Sequence, residues 1–192
     1  MTPFEFVFFL YAIMLSLGLT QLIGGWALAF RNSSGVRWSA PPVMWALVTL
    51  FYTTGNLTSF WLMRDAPDWS PGLVLGNFAF AIVDYVLCVF VTPEAERGER
   101  LDLVAFNERE RPRYLAAVMA LLVVAILINI AIGLFAHYSH WWSESESSLA
   151  ALILALIAFR WRQNWIQIST AAAVVAISAY FLIDSSNIVA GQ

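Results

Sequence analysis

The stretch FEFVFFLYAIMLSLGLTQLIGGWALAF, residues 4–30, decides the fold. It carries one formal charge, Glu5, near its start. At ~1.5 Å per residue it makes roughly 40 Å of helix, more than the ~30 Å hydrocarbon core of a bilayer. A run so long and so poor in charge reads as a tilted transmembrane helix. Segments of the same character follow at 41–63, 71–92, 113–137, 147–163 and 164–184. The expectation is an all-α protein: one transmembrane domain over 1–192, a polytopic bundle of about six helices with short loops. The last two segments are the weakest, because RWRQN at 160–164 leaves a tight connection. A hairpin of two tilted helices is a more economical reading than one broken helix.

Composition agrees. The chain is 60% hydrophobic and 12% charged, against about 25% charged for a soluble domain. Its one cysteine, Cys88, lies inside an apolar segment, so no disulfide framework or Cys-based metal site forms within one chain. The first residues lack the positive n-region of a secretory signal, and no small-residue cleavage site follows. The first helix is expected to stay attached as a span.

Orientation follows from arginine. Of the ten basic residues, nine fall between the first and second, third and fourth, or fifth and sixth segments: Arg31 and Arg37; Arg97, Arg100, Arg109, Arg111 and Arg113; Arg160 and Arg162. Only Arg64 falls on the other side. The positive-inside rule then places the Arg-bearing loops in the cytoplasm and both termini outside, on the periplasmic face of a cell inner membrane. Eight of the nine Trp lie near segment ends, where an aromatic belt would sit. Trp45, one turn into the second segment, is the exception.

The connection 93–112 is the one long cytoplasmic loop. Leu101, Val104 and Ala105 recur at helical spacing beside Phe106, which predicts a short amphipathic piece at the interface, closed by NERERPR at 107–113. Its arginines hold the topology and meet anionic headgroups. Docking of a cytoplasmic partner is the competing reading.

An ionisable group at membrane depth costs several kcal/mol, ~2.5–3.5 for Asp at a helix centre, so each is informative. Asp84 lies just past the middle of the third segment and shares a face with Asn77, Ala81 and Cys88. It reads either as a proton- or cation-responsive carboxylate or as a structural group, hydrogen-bonded to a neighbouring helix or paired with Arg160. Gln21 is expected at nearly the same depth, in one hydrogen-bonded layer with Asp84. Thr20 joins Ala12, Ser16, Gly24 and Ala27 on one small face of the first segment, while Gly18, Gln21 and Gly25 make a second. Two such faces predict a central helix packed on both sides, more often packing than a permeation path. Gly72 and Gly76 form a GxxxG seam. A stripe through Trp45, Thr49, Tyr52, Asn56, Ser59 and Met63 resembles a water-lined wall, and Asn56 could bridge to Asn129 of the fourth segment as simple glue.

At the outer face, His137 and His140, three apart with Glu144 nearby, have a spacing that can chelate a metal when helical. No recognised zinc signature is matched, and ordinary outer-surface polarity is the better account of them. HExxH, GxSxG, Walker A and GxGxxG are all missing, as is any haem-type His pair. No cofactor is expected, no nucleic-acid partner, and catalysis would have to rest on isolated acids.

The opening EFVFFLYAIMLSLGLTQLIGGWA, with Glu5, Phe6, Tyr11, Leu17, Gly18, Leu19, Thr20 and Gly24, resembles that of a widespread uncharacterised bacterial family of small polytopic membrane proteins. Phe60-Trp61 and DLVAFNERERPRY at 102–114 are similar too, so the resemblance spans about two thirds of the chain. It implies a six-span topology and brings no chemistry. The expected function is a small channel- or transporter-like homo-oligomer with a buried acidic and amide layer. The alternative is a non-catalytic accessory or sensor subunit packing against another membrane protein.

Overall fold

The computed structural model describes residues 3–31, 35–62, 64, 70–94, 100–135 and 141–190. They form, in order, helix α1 (Pro3–Arg31), strand β1 (Val36–Arg37), helices α2 (Ala40–Leu62) and α3 (Pro71–Val91), strand β2 (Leu101–Asp102), and helices α4 (Leu103–Phe135), α5 (Trp141–Arg160) and α6 (Asn164–Ala190). The protein is all-α apart from the two short strands. Residues 147–184 make two helices: α5 stops at Arg160, three residues connect, and α6 begins at Asn164.

The helices are apolar on their outer faces as well as their inner ones. In α1 the buried residues Phe4, Val7, Tyr11, Leu15, Gly18, Leu22, Trp26 and Ala29 recur at spacings of three and four, one inward stripe. The opposite side shows Phe6, Phe9, Leu17, Ile23 and Phe30, all more than half exposed. A soluble domain rarely tolerates such a surface; a lipid-facing helix requires it. Among the described residues, four helices contain a stretch long and apolar enough to cross a membrane, Phe4–Arg31, Pro71–Val91, Leu103–Leu134 and Asn164–Phe181.

Contacts at the two ends fix the bundle's polarity. At one end β1 pairs in parallel with β2, Val36 opposite Leu101 and Arg37 opposite Asp102, and the Arg37 guanidinium meets the Asp102 carboxylate at 3.2 Å. Arg111 of α4 reaches the α5–α6 connection, donating to the carbonyl oxygens of Trp161 at 3.2 Å and Ala158 at 3.5 Å. The three Arg-bearing connections therefore meet at one end. The other end is closed by aromatic rings: Phe4 and Phe8 of α1 pack on Phe60 and Trp61 of α2, and Tyr11 stacks on Phe60 at 4.4 Å.

The connection before α4 differs from the sequence expectation. Of the residues assigned to an interfacial piece, Leu101 lies in β2, while Val104, Ala105, Phe106 and the closing NERERPR are the first turns of α4, which runs unbroken through Pro112. Proline inside a helix removes one backbone bond and crowds the preceding turn. Side chains bridge the weakened turn: Tyr114 donates to Asn107 at 2.5 Å, and Arg113 donates to both Glu110 oxygens at 3.0 and 3.2 Å.

Asp102 starts α4 as its N-cap, accepting from the backbone N–H of Val104 at 2.9 Å and of Ala105 at 3.1 Å. The Ala105 N–H foremost, then the Arg37 guanidinium and the Val104 N–H, hold its carboxyl below the usual carboxylate range. A depressed carboxyl contributes stability that is present above the unfolded-state pKa and lost as pH falls through the folded one. Asp102→Ala is accordingly expected to lower the thermal unfolding midpoint at neutral pH. The gap to wild type should close as the pH drops below about 4.

Candidate functional site

Asp84 sits fully buried on α3 where α1, α2 and α3 come together. α1 and α3 run side by side in the same direction, Gly18 lying against Tyr85 and Cys88, and Gly25 against Thr92. At both places the missing side chain lets the helices approach. A Cβ on Gly18 would stand 3.1 Å from the Cys88 sulfur, and one on Gly25 would overlap the Thr92 methyl.

The carboxylate is held from α2. Thr53 Oγ1 donates to Asp84 Oδ1 at 3.2 Å, and Asn56 Nδ2 donates to the same oxygen at 3.4 Å. The Cys88 sulfur lies 3.7 Å from Thr53 Oγ1. With the Thr53 hydrogen committed to Asp84, Cys88 is the donor, giving a chain from thiol to hydroxyl to carboxylate. Asp84 Oδ2 is buried and has no hydrogen-bond partner among the described residues.

Neither protonation state is fully served by these neighbours. An ionised Asp84 has two neutral donors on one oxygen and, among the described residues, no counter-charge, and burying an unpaired charge is costly. A neutral Asp84 protonated on Oδ2 has a hydroxyl with nothing to accept it, which also costs free energy. A buried group left half-satisfied both ways is suited to exchanging a proton or holding a small cation. The structural alternative of an Asp84–Arg160 pair is not what forms: Arg160 is exposed at the end of α5.

Of the residues singled out from sequence, the structure brings Asp84 and Asn56 together and separates the others. Gln21 is exposed and takes no part in the Asp84 layer. Depth alone suggested that layer, but the inward stripe of α1 passes through Gly18 and Leu22, which turns Gln21 away. Thr20 is also exposed and donates to the Ser16 carbonyl of its own helix at 2.7 Å. The small face of α1 through Ser16, Thr20, Gly24 and Ala27 thus points outward, and α1 is packed on one side only. Asn77 is buried but donates to the Leu73 carbonyl one turn back at 2.9 Å. Asn56 donates to Asp84, not to Asn129, which is half-buried on α4. In the GxxxG seam, a Cβ on Gly76 would stand 3.5 Å from Ile128 of α4, while Gly72 is exposed. A Cβ on Gly24 would meet nothing within 4 Å. His137 and His140 lie outside the described residues, as does the side chain of Glu144; among the described residues no cluster of metal-ligating side chains forms.

Two contributors escaped the sequence reading. Thr53 is a turn from both Thr49 and Asn56, a spacing that could have placed it on the inner face of α2. Gln167 stands near the Arg-bearing end, fully buried. Its amide oxygen accepts from Trp45 Nε1 at 3.2 Å, and its amide nitrogen donates to the carbonyl oxygens of Ala158 and, at 2.8 Å, Trp161. That network accounts for Trp45, the tryptophan without a place in an interfacial belt.

Compared with protein-family models, with curated proteins and with solved structures, the chain matches none. The functional reading therefore stands on the geometry.

Proposed function

We propose that the protein is a six-span inner-membrane protein, channel- or transporter-like, in which Asp84 takes up and releases a proton or binds a small cation between α1, α2 and α3. The observation that carries this reading is the buried Asp84 carboxyl with Oδ1 held by two neutral donors and Oδ2 without a partner. In this reading α2 and α5 cross with the four more apolar helices. Of the four threonines that make α2 less apolar, Thr49 and Thr53 are buried, while the exposed Thr54 and Thr58 donate to carbonyl oxygens one turn back in their own helix. The Arg-bearing end faces the cytoplasm and both termini face the periplasm, by the positive-inside rule. The likeness to small polytopic bacterial membrane proteins is consistent with that topology. The chain works as a homo-oligomer, with the outward α1 face of Ser16, Thr20, Gln21 and Gly24 as the available surface. An amide facing lipid lacks partners that a second helix would supply.

Purified protein in liposomes tests this. Wild type is expected to carry a proton or monovalent-cation current under an imposed gradient, and Asp84→Asn, nearly isosteric, to reduce it by about tenfold or more, the kind of loss a ~1.4 kcal/mol change in one step produces. No flux in wild type, or equal flux in both, overturns the proposal. In that event a second membrane protein co-purifying in mild detergent would favour the accessory-subunit reading.

A further inference from the structure

On the outer side of the bundle, α3 and α4 leave between them a groove of about 390 Å³. Ile82, Val86 and Phe90 of α3 form one wall; Ala116 and Ala120 of α4 form the other. The alanines are too small to fill the space facing the larger α3 side chains, which is why a hollow remains. One polar side chain lines it, that of Arg113. Since α3 runs toward the Arg-bearing end and α4 runs away from it, Phe90 and Arg113 mark that end, while Ile82 and Ala120 lie deeper. The hollow is thus charged at its mouth and apolar along its length.

The charge at the mouth is preorganised. Glu110, with its side chain only 11% exposed, bonds Arg109 Nε at 2.7 Å and Arg113 Nη1 at 3.0 Å. Both arginine side chains remain well exposed, at 70% and 62%. Two arginines on one carboxylate leave a net charge of +1. The Arg113 bonds to Glu110 all leave from Nη1, so its Nε and Nη2 hydrogens are available to a phosphate, whose geometry suits a guanidinium fork.

We propose that this groove binds one phospholipid with an anionic headgroup, its phosphate on Arg113 and Arg109 and an acyl chain in the hollow beside Phe90 and Val86. The single negative charge of a phosphodiester neutralises the Arg109–Glu110–Arg113 cluster. A zwitterionic headgroup brings a second, positive group against the same arginines, so the site discriminates by charge. The site is independent of Asp84, and its test does not depend on transport.

Native mass spectrometry of the detergent-purified full chain, titrated with phosphatidylglycerol or with phosphatidylcholine of the same acyl chains, tests it. Wild type is expected to retain one phosphatidylglycerol per chain at a concentration about tenfold lower than phosphatidylcholine requires. Arg113→Gln should bring the two lipids within about twofold of each other. Ala120→Phe, an exposed position where a ring fills the hollow, should weaken both while leaving the arginines in place. Equal retention of the two lipids by wild type overturns the proposal, as does phosphatidylglycerol retention unchanged in Arg113→Gln or in Ala120→Phe.

Discussion

Replacing Gln167 by leucine should destabilise the protein by about 2–3 kcal/mol although the volume is nearly kept. The amide is fully buried and ties three elements together: Trp45 of α2 donates to it, and it donates to the last carbonyls of α5. Helix C-termini leave carbonyls without intrahelical partners, and here Gln167 and Arg111 serve the same two, those of Ala158 and Trp161. Leucine leaves the Trp45 indole N–H buried without an acceptor, the costly half of a broken hydrogen bond. The effect is moderated because Arg111 still reaches both carbonyls and because interhelical bonds in bilayers average only about 0.6 kcal/mol. Unfolding in mixed detergent micelles reads the change. A loss below about 0.5 kcal/mol would mean the network is incidental.

Gly25→Ala is the second large effect, about 1–3 kcal/mol from overpacking. The added Cβ would overlap the Thr92 methyl, and that methyl cannot simply rotate away. Thr92 Oγ1 donates to the Cys88 carbonyl at 2.6 Å, which fixes the side chain in one rotamer. Thr92→Ser removes the obstructing methyl and keeps the hydroxyl bond. The Gly25→Ala/Thr92→Ser double variant is therefore expected to recover most of the lost stability, a coupling read by a double-mutant cycle. Gly24→Ala, with open space around it, should change little. If the two glycines behave alike, the close approach of α1 and α3 at this level is not what the geometry describes.

The helices were legible in the sequence because apolar length is a strong, local signal, and Asp84 stood out because a carboxylate is rare at that depth. What the sequence could not give was azimuth. Gln21 was expected at the depth of Asp84, but Gly18 already lies level with Tyr85 and Cys88, and only the inward stripe of α1 decides which side chain faces the core; both faces of a membrane helix are apolar enough to blur that stripe. Asn56 was placed on the correct face of α2 but assigned the wrong partner, since amides on two neighbouring helices look equivalent until the helices are packed. Gln167 fell inside the segment 164–184 without being singled out, and nothing local reveals that a side chain will turn back to cap the preceding helix. The connection was drawn as far as Pro112 and the fourth segment from 113; the bonds from Tyr114 and Arg113 that carry the helix across Pro112 are side-chain contacts with no local backbone signature.

The account turns on whether Asp84, enclosed by three helices, exchanges a proton. Infrared difference spectra of the protein in lipid nanodiscs, recorded as the pH is changed, test this most directly through the carbonyl stretch of a protonated carboxyl. The expected result is a band that grows as pH is lowered, vanishes in Asp84→Asn and shifts in Thr53→Val, which removes a hydrogen-bond donor to Oδ1. Spectra with the same carboxyl bands in wild type and Asp84→Asn at every pH would contradict it.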